Sequence, residues 1–392
     1  MNTSILNIEI QEFINSNLKT DIASLLLKGI PFNYIDPKDI IEQIEAKKSC
    51  EKKLPTWFSE KNIYYPNKLN IEQTSSETTA RYKTNLVSGK SLIDLTGGFG
   101  VDAYFFSKSI DSVVHCEINS ALSQIAKHNY KALNVSNIDC FNESGIDALN
   151  RIDQTFDWIY IDPSRRDHTK KKVFMLSDCT PNVKTLQVVF LKYAKHAMVK
   201  TSPLLDIKAT KNDLQHVKAL HIVAVNNEVK ELLWILDRNS KWDFRIKTVN
   251  ISKSSQQVFE FLYDEEQNAK IEYSMPLTYL YEPNAAILKA GAFTSIGNQL
   301  NISKLHKHSH LYTSEHLIDF PGRRFKIEKT IAFNKKIFVK EKIIKANVTT
   351  RNFPLSVSDI RKKLKIKDGG NIYLFFTTIN DNSKVIVICT KV

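Results

Sequence analysis

Cysteine is scarce and scattered: Cys50, Cys116, Cys140, Cys179 and Cys389 are the only five in 392 residues. They form no C-x-x-C pair and no cysteine–histidine cluster, so neither zinc nor a disulfide framework is indicated. Buried free thiols in a reducing cytoplasm are expected. No run of eighteen apolar residues occurs and the first residues lack a signal-peptide pattern, so the chain is expected to be soluble, cytoplasmic and without a membrane partner. Internal repeats and low-complexity stretches are also missing. Acid is in deficit, with 42 Asp+Glu against 55 Lys+Arg and a net charge of +13. The deficit concentrates between 319 and 367, where fifteen Lys/Arg face four Asp/Glu, a net of +11. Such a block suits a polyanion, most often nucleic acid, although a solvated lysine-rich face is the plainer alternative.

Glycine numbers only eleven, yet three fall in the stretch 91–100, SLIDLTGGFG. An apolar run stops at glycines and an amphipathic stretch follows, which reads as buried strand, tight turn and helix. The turn needs positive φ and bare backbone for a ligand to approach. The spacing Gly98-x-Gly100-x-x-Ala103 also satisfies the dinucleotide fingerprint, so the glycines alone do not choose a ligand. Asp94 chooses. Four residues before Gly98, its carboxylate would repel a pyrophosphate, whereas an S-adenosylmethionine site uses such a carboxylate to order the loop and help hold an amino group. The expected cofactor is therefore S-adenosyl-L-methionine.

The first sixty residues read as helices (5–18, 21–28 and 36–53). In 73–83 either Ser75 or Ser76 could cap a helix, which either lies over the cofactor or merely connects. From 91 onward the periods alternate as a doubly wound sheet requires. Strands are expected at 91–96, 112–117, 137–141, 158–162, 197–201, 220–225 and 230–237, with helices notably at 121–133 and 182–195. The link 226–229 is too short for a crossover helix, so the last two strands should be an antiparallel hairpin. Five parallel strands closed by that hairpin describe a class I methyltransferase sheet. A further hairpin is expected at 244–251 and 258–263. Glu282-Pro283 reads as a helix start, and basic strands are expected at 325–332 and 335–344. A short helix at 358–364 and a hairpin of 371–378 with 384–390 complete the chain. His306, His308 and His310 invite a metal reading, but without a carboxylate cluster no metal is expected.

The chemistry falls at strand ends. Asp94, Thr96, Gly97, Gly98, Phe99 and Gly100 form the cofactor loop. Glu117, with Ile118 beside it, can accept hydrogen bonds from both ribose hydroxyls. One of Asn142, Glu143 and Ser144 should meet the adenine amine, and Asn142 is chosen because its amide both accepts and donates. The fourth strand ends in Asp162-Pro163-Ser164-Arg165-Arg166-Asp167. Amino-methyltransferases place a short Asp/Asn-Pro-Pro-aromatic turn there, whose carboxylate and carbonyls aim an exocyclic amine at the methyl group. Asp162, Pro163, Ser164 and Arg165 are the catalytic candidates. Ser164 and Arg165 depart from the pattern, and without the aromatic a stacked base loses its partner. Arg165, Arg166 and Lys200 could instead grip phosphate, or the arginines could pair with Asp167 and the cofactor carboxylate. No cysteine stands at the fifth strand's end, so covalent pyrimidine methylation is disfavoured.

The stretches EQTSSETTARYK, DLTGGFGVD, YIDPSRRD, VKTSPLLDI, YLYEPNAAILKAGAF and RNFPLSV together resemble a family of bacterial class I S-adenosylmethionine-dependent methyltransferases with ferredoxin-like and THUMP-like C-terminal domains. The resemblance runs from Glu72 to the C-terminus. It implies an α/β chain: a helical N-terminal region (1–70), a Rossmann-like seven-stranded methyltransferase core (71–265), a ferredoxin-like domain (272–316) and a small α+β THUMP-like domain (319–392). THUMP domains proper bind tRNA, so it also implies RNA as the partner and an amine nitrogen of a tRNA or rRNA base as the target. The alternatives are an RNA-binding protein that keeps the cofactor fold without catalysis, and a methyltransferase of proteins or small molecules.

Overall fold

The computed structural model describes residues 1–165, 175–240 and 243–392. It divides into two compact units, Met1–Lys218 with Glu231–Trp242, and Ala219–Lys230 with Asp243–Val392.

The first unit opens on helices. The longest, Pro37–Lys53, starts where Asp36 accepts the Lys38 N–H and Pro37 takes a position that lacks a hydrogen bond anyway. Ile10, Ile14, Ile40 and Ile44 close a small core there. The Asn129 amide holds this region to the sheet domain through both backbone groups of Tyr64, each at 2.9 Å. The helix Glu77–Thr84 is capped by Ser76, whose oxygen accepts the Thr79 N–H. Ser75 is thereby released for another use.

The strands β1 (Ser91–Asp94), β2 (Ser112–Cys116), β3 (Ile138–Phe141), β4 (Phe156–Ile161) and β5 (Ala194–Thr201) are parallel, with β7 (Glu228–Asp237) antiparallel to β5. Their order is β3-β2-β1-β4-β5-β7. Leu92, Ile93, Ile159, Ala197, Val199 and Leu236 are wholly buried, as strands covered on both faces require. The strand ends carry the polar residues.

The second unit begins with β6 (Val217–Val225), which turns into β7 through Asn226 and Asn227 at φ 50° and 64°. Two positive φ values are what a two-residue hairpin turn needs. Two strands beyond the expected seven follow: β8 (Arg245–Ile251), parallel to β6, and β9 (Gln256–Leu262), antiparallel to β8. The expected hairpin forms and also pairs with β6, because β8 buries Ile246, Thr248 and Val249 and offers its backbone to β6.

A second sheet holds β10 (Tyr279–Pro283), β11 (Ser303–Lys304), β12 (Tyr312–Ser314), β13 (Gly322–Ala332), β14 (Lys345–Arg351), β15 (Lys367–Thr378) and β16 (Lys384–Lys391), in the order β11-β12-β10-β13-β16-β15-β14. Glu282-Pro283 ends β10 rather than starting a helix, and Asn284 caps the helix Ala285–Ala290 that follows. The expected strand 335–344 is instead the helix Lys335–Lys340. Asn334 accepts the Lys336 N–H, and Phe338 alone drops into the core beside Ile331 and Ile360. Three consecutive apolar residues fix neither period, so the cap decides.

Candidate cofactor and catalytic site

The end of β1 sets the site. Asp94 is 1% exposed, and one carboxylate oxygen accepts the Thr96 N–H at 3.0 Å. Burial first, then the neighbouring carboxylates Asp102, Asp162 and Glu117, lift its carboxyl well above the usual range. The chain turns as the Gly100 N–H donates to the Gly97 carbonyl at 2.9 Å, with Gly98 at φ 55° and Gly100 at φ 85°. A side chain on Gly97 would run into the His115 ring, and one on Gly100 into the Tyr130 hydroxyl. Over Gly98 the nearest atom is the Thr96 carbonyl oxygen at 3.9 Å. Two glycines therefore seat the turn on the core and the middle one leaves room above it. Phe99 lies in the turn with its ring turned inward: it is 3% exposed and packs on Trp57. Only its backbone belongs to the turn.

Glu117, just past β2, spans the loop. One carboxylate oxygen accepts the Gly98 N–H at 2.9 Å and the other the Asn119 N–H at 2.8 Å. Ile118 beside it is 74% exposed, unusual for isoleucine. Asn142 donates its amide to the carbonyls of Glu117 and Ile118 at 2.9 and 3.2 Å, which leaves its own oxygen to accept. Of its two rivals, Glu143 pairs with Arg151 and Ser144 caps the helix Gly145–Ile152. The structure thus brings Gly98, Glu117, Ile118 and Asn142 to one place.

The end of β4 joins the same cluster, because the Asp162 N–H donates to the Thr96 hydroxyl at 2.7 Å. The Asp162 carboxylate is ion-paired with Lys200 near the end of β5. Burial opposes the Lys200 charge, but Asp162, Asp102 and Glu231 outweigh it and push the ammonium's pKa up. Pro163 is half-buried. The Ser164 hydroxyl donates to the Thr180 carbonyl at 3.2 Å, and residues Ser164–Arg165 bridge antiparallel to Cys179–Thr180. Cys179 is buried. The Arg165 side chain, Arg166 and Asp167 lie outside the described residues.

Behind these strand ends lies a group that sequence reasoning missed. The Lys83 ammonium is fully buried, 2.9 Å from Glu231, 3.2 Å from Asp102 and 3.1 Å from the Ser75 hydroxyl. Asp102 also accepts from Ser75 at 2.8 Å and from the Tyr160 hydroxyl at 2.7 Å. Burial works to raise the Asp102 pKa, yet Lys83, Lys200 and the two hydroxyls hold it below the usual carboxylate value. A weak signal existed: Lys83 lies three residues after Ala80, on that residue's buried side of the helix. Nothing local identified its carboxylates.

Five parallel strands with an antiparallel β7 beyond β5, and an acid after β2 gripping a glycine turn after β1, define a class I methyltransferase fold. The comparisons agree. A proposed methyltransferase of Porphyromonas gingivalis W83 has a crystal structure similar over 100% of this chain and 98% of that one, at 32% identity and a TM-score of 0.90. Residues 279–321 match a ferredoxin-like domain and 322–391 a THUMP domain-like family. The chain belongs to the family of class I S-adenosylmethionine-dependent methyltransferases with ferredoxin-like and THUMP-like C-terminal domains. More distantly, a proposed methyltransferase of Streptococcus mutans in complex with SAH covers 41% of this chain and 96% of its own, at 11% identity and a TM-score of 0.30. An rRNA methylase of Streptococcus thermophilus covers 41% and 94%, at 11% identity and 0.31. No curated protein matches the chain. Among the described residues no helix is long and apolar enough to cross a membrane.

Proposed function

We propose that the protein methylates an amine nitrogen of an RNA base, in tRNA or rRNA, using S-adenosylmethionine. The observation that carries this is the convergence of Glu117 and Asn142 on the open side of Gly98, with the Asp162–Lys200 pair at the adjoining strand end. The donors and acceptors fit the cofactor. Each Glu117 oxygen already accepts one backbone N–H and keeps a lone pair for a ribose hydroxyl. Exposed Ile118 offers an apolar cover for adenine, the Asn142 oxygen an acceptor for its amine, and the space over Gly98 room for a ligand. When bound, the cofactor supplies an electrophilic methyl group.

Asp162 then serves as acceptor for an exocyclic amine, helped by the turn's backbone carbonyls. Its pairing with Lys200 argues against a free general base and for positioning. Pro163 and Ser164 shape the turn, and Arg165, Arg166 and Lys200 would hold the substrate. The RNA partner rests on the family match and on exposed cations. Lys335, Lys336, Lys340, Lys342, Lys362 and Lys365 are exposed and outside any ion pair among the described residues. The test is methyl transfer from labelled S-adenosylmethionine to total RNA and, separately, to total protein. Label in RNA supports the reading; label in protein alone replaces RNA as the substrate; cofactor binding with no transfer to either leaves a non-catalytic RNA-binding protein.

A further inference from the structure

Two of the stretches singled out in the sequence, YLYEPN and RNFPLSV, received no chemical role. The fold brings them to one carboxylate. Glu282 near the end of β10 is 4% exposed and stands in register with Arg323 on β13. The Arg323 Nε donates to one of its oxygens at 2.5 Å, and its NH2 reaches the same oxygen. Arg351, which ends β14, donates Nε and NH2 to the other oxygen at 3.1 and 2.9 Å.

One cation would neutralise a buried carboxylate. Here two are gathered, so the cluster keeps a net positive charge. The two arginine side chains remain 41% and 33% exposed. Each spends its Nε edge on Glu282, and neither NH1 has a hydrogen-bond partner among the described residues. Arg323 is steadied further over the Phe325 ring at 5.5 Å. Planar forks already fixed in this way lose little freedom on gripping an anion, and a guanidinium matches phosphate geometry better than an ammonium does. The surrounding segment is the one with a net charge of +11.

We propose that Arg323 and Arg351, oriented by Glu282, form a phosphate site that takes a phosphodiester of the RNA backbone. This rests on the RNA reading above and adds a defined contact to it. Glu282 positions both arginines and the NH1 edges bind.

The test uses the full chain and unfractionated tRNA, titrated across about 50 to 200 mM salt. S-adenosylhomocysteine binding and thermal unfolding are measured on the same preparations. Arg323→Gln and Arg351→Gln should each weaken tRNA binding and flatten the slope of log K against log salt by about 0.7–0.9, the value for one lost phosphate contact. Arg351→Lys keeps the charge but loses the fork, so it should bind more weakly with the wild-type slope. S-adenosylhomocysteine affinity should be unchanged in all three. A purely structural role for the cluster predicts lowered melting temperatures with unaltered slopes, and that result overturns the proposal while leaving the RNA reading intact. If a glutamine variant does not fold, Arg323→Lys and Arg351→Lys decide: wild-type affinity in both overturns the phosphate site. A wild-type protein that binds neither tRNA nor, in the same assay, rRNA overturns both readings.

Discussion

Replacing Lys83 with methionine should destabilise the first unit severely and in a pH-dependent way. The ammonium has no exposed surface, and its carboxylate partners Asp102 and Glu231 are 10% and 3% exposed. Removing it strands two buried carboxylates. Asp102 keeps hydrogen bonds from Ser75 and Tyr160, whereas no other hydrogen bond reaches the Glu231 carboxylate among the described residues. Breaking a buried pair from one side costs about 3–5 kcal/mol, because a charge is left uncompensated. At ~2–4 °C per kcal/mol for a unit of this size, the melting temperature should fall by roughly 6–20 °C at pH 7. Lys83→Met combined with Glu231→Met should recover much of the loss, since a well-packed apolar replacement removes a stranded charge as well as its partner.

The pH dependence distinguishes this account from a simple packing defect. In the wild type Asp102 titrates below its unfolded value, because Lys83 and then Lys200 overcome the upward pull of burial. It therefore contributes stability that is present above the unfolded carboxylate value, about 3.9, and is lost as pH falls through the lowered folded value. Without Lys83, burial is less opposed and the variant's folded Asp102 carboxyl should sit above its unfolded value. The folded variant then binds more protons than its unfolded chain near neutrality, so acid relieves it. The gap between wild-type and variant melting temperatures should narrow from pH 7 to pH 5, as followed by circular dichroism. A fall of less than about 3 °C at pH 7, or a gap that does not change with pH, would show that Lys83 is not the counter-ion described here.

Three further outcomes bear on the site. Gly97→Ala places a methyl against the buried His115 ring and should cost about 1–3 kcal/mol of stability, whereas Gly98→Ala meets nothing nearer than 3.9 Å but holds alanine at φ 55°, a strain of about 1–2 kcal/mol, and should in addition lose S-adenosylhomocysteine affinity. Calorimetry with thermal unfolding separates the two, and wild-type affinity in a folded Gly98→Ala protein would place the cofactor elsewhere. Glu117→Ala removes the acceptor for the Gly98 and Asn119 N–H groups together with the proposed ribose contacts, so the same calorimetry should show binding weakened by about tenfold or more. In single-turnover methyl transfer, Asp162→Asn should be slow and Asp162→Ala slower, each with near-normal cofactor affinity, while Cys179→Ser stays active; a near-normal rate for Asp162→Ala would reduce the strand-four turn to scaffold.

What the sequence made legible was local. The glycine turn could be read because Asp94, Gly98 and Gly100 fall within seven residues and each answers to backbone geometry or charge close by. Glu117 could be read because a strand's length fixes where its end falls. Phe99 could not be placed so easily, since a turn residue faces ligand or core according to what packs beneath it, here Trp57 from the N-terminal helices. The Lys83–Glu231 pair joins residues 148 apart, and Arg351–Glu282 joins residues 69 apart. Neither spacing has a period to detect. Both depend on sheet order, which sets partners only after the strands have assembled.

The Asp162–Lys200 pair follows from that same assembly. β4 and β5 are adjacent and parallel, so the side chains near their ends emerge together. Burial by itself would favour the neutral amine at Lys200. Asp162 first, then Asp102 and Glu231, supply enough negative charge to keep it protonated, and Lys83 balances the last two from the other side. The three carboxylates and two amines thus form a chain in which each charge depends on the next. Its outermost member is Asp162, 34% exposed by side chain and the most exposed of the five. A carboxylate held in this way is fixed in direction and already engaged by a cation. Those are properties that suit aiming an amine rather than deprotonating it, and they tie the proposed chemistry to the buried Lys83, 79 residues earlier in the chain.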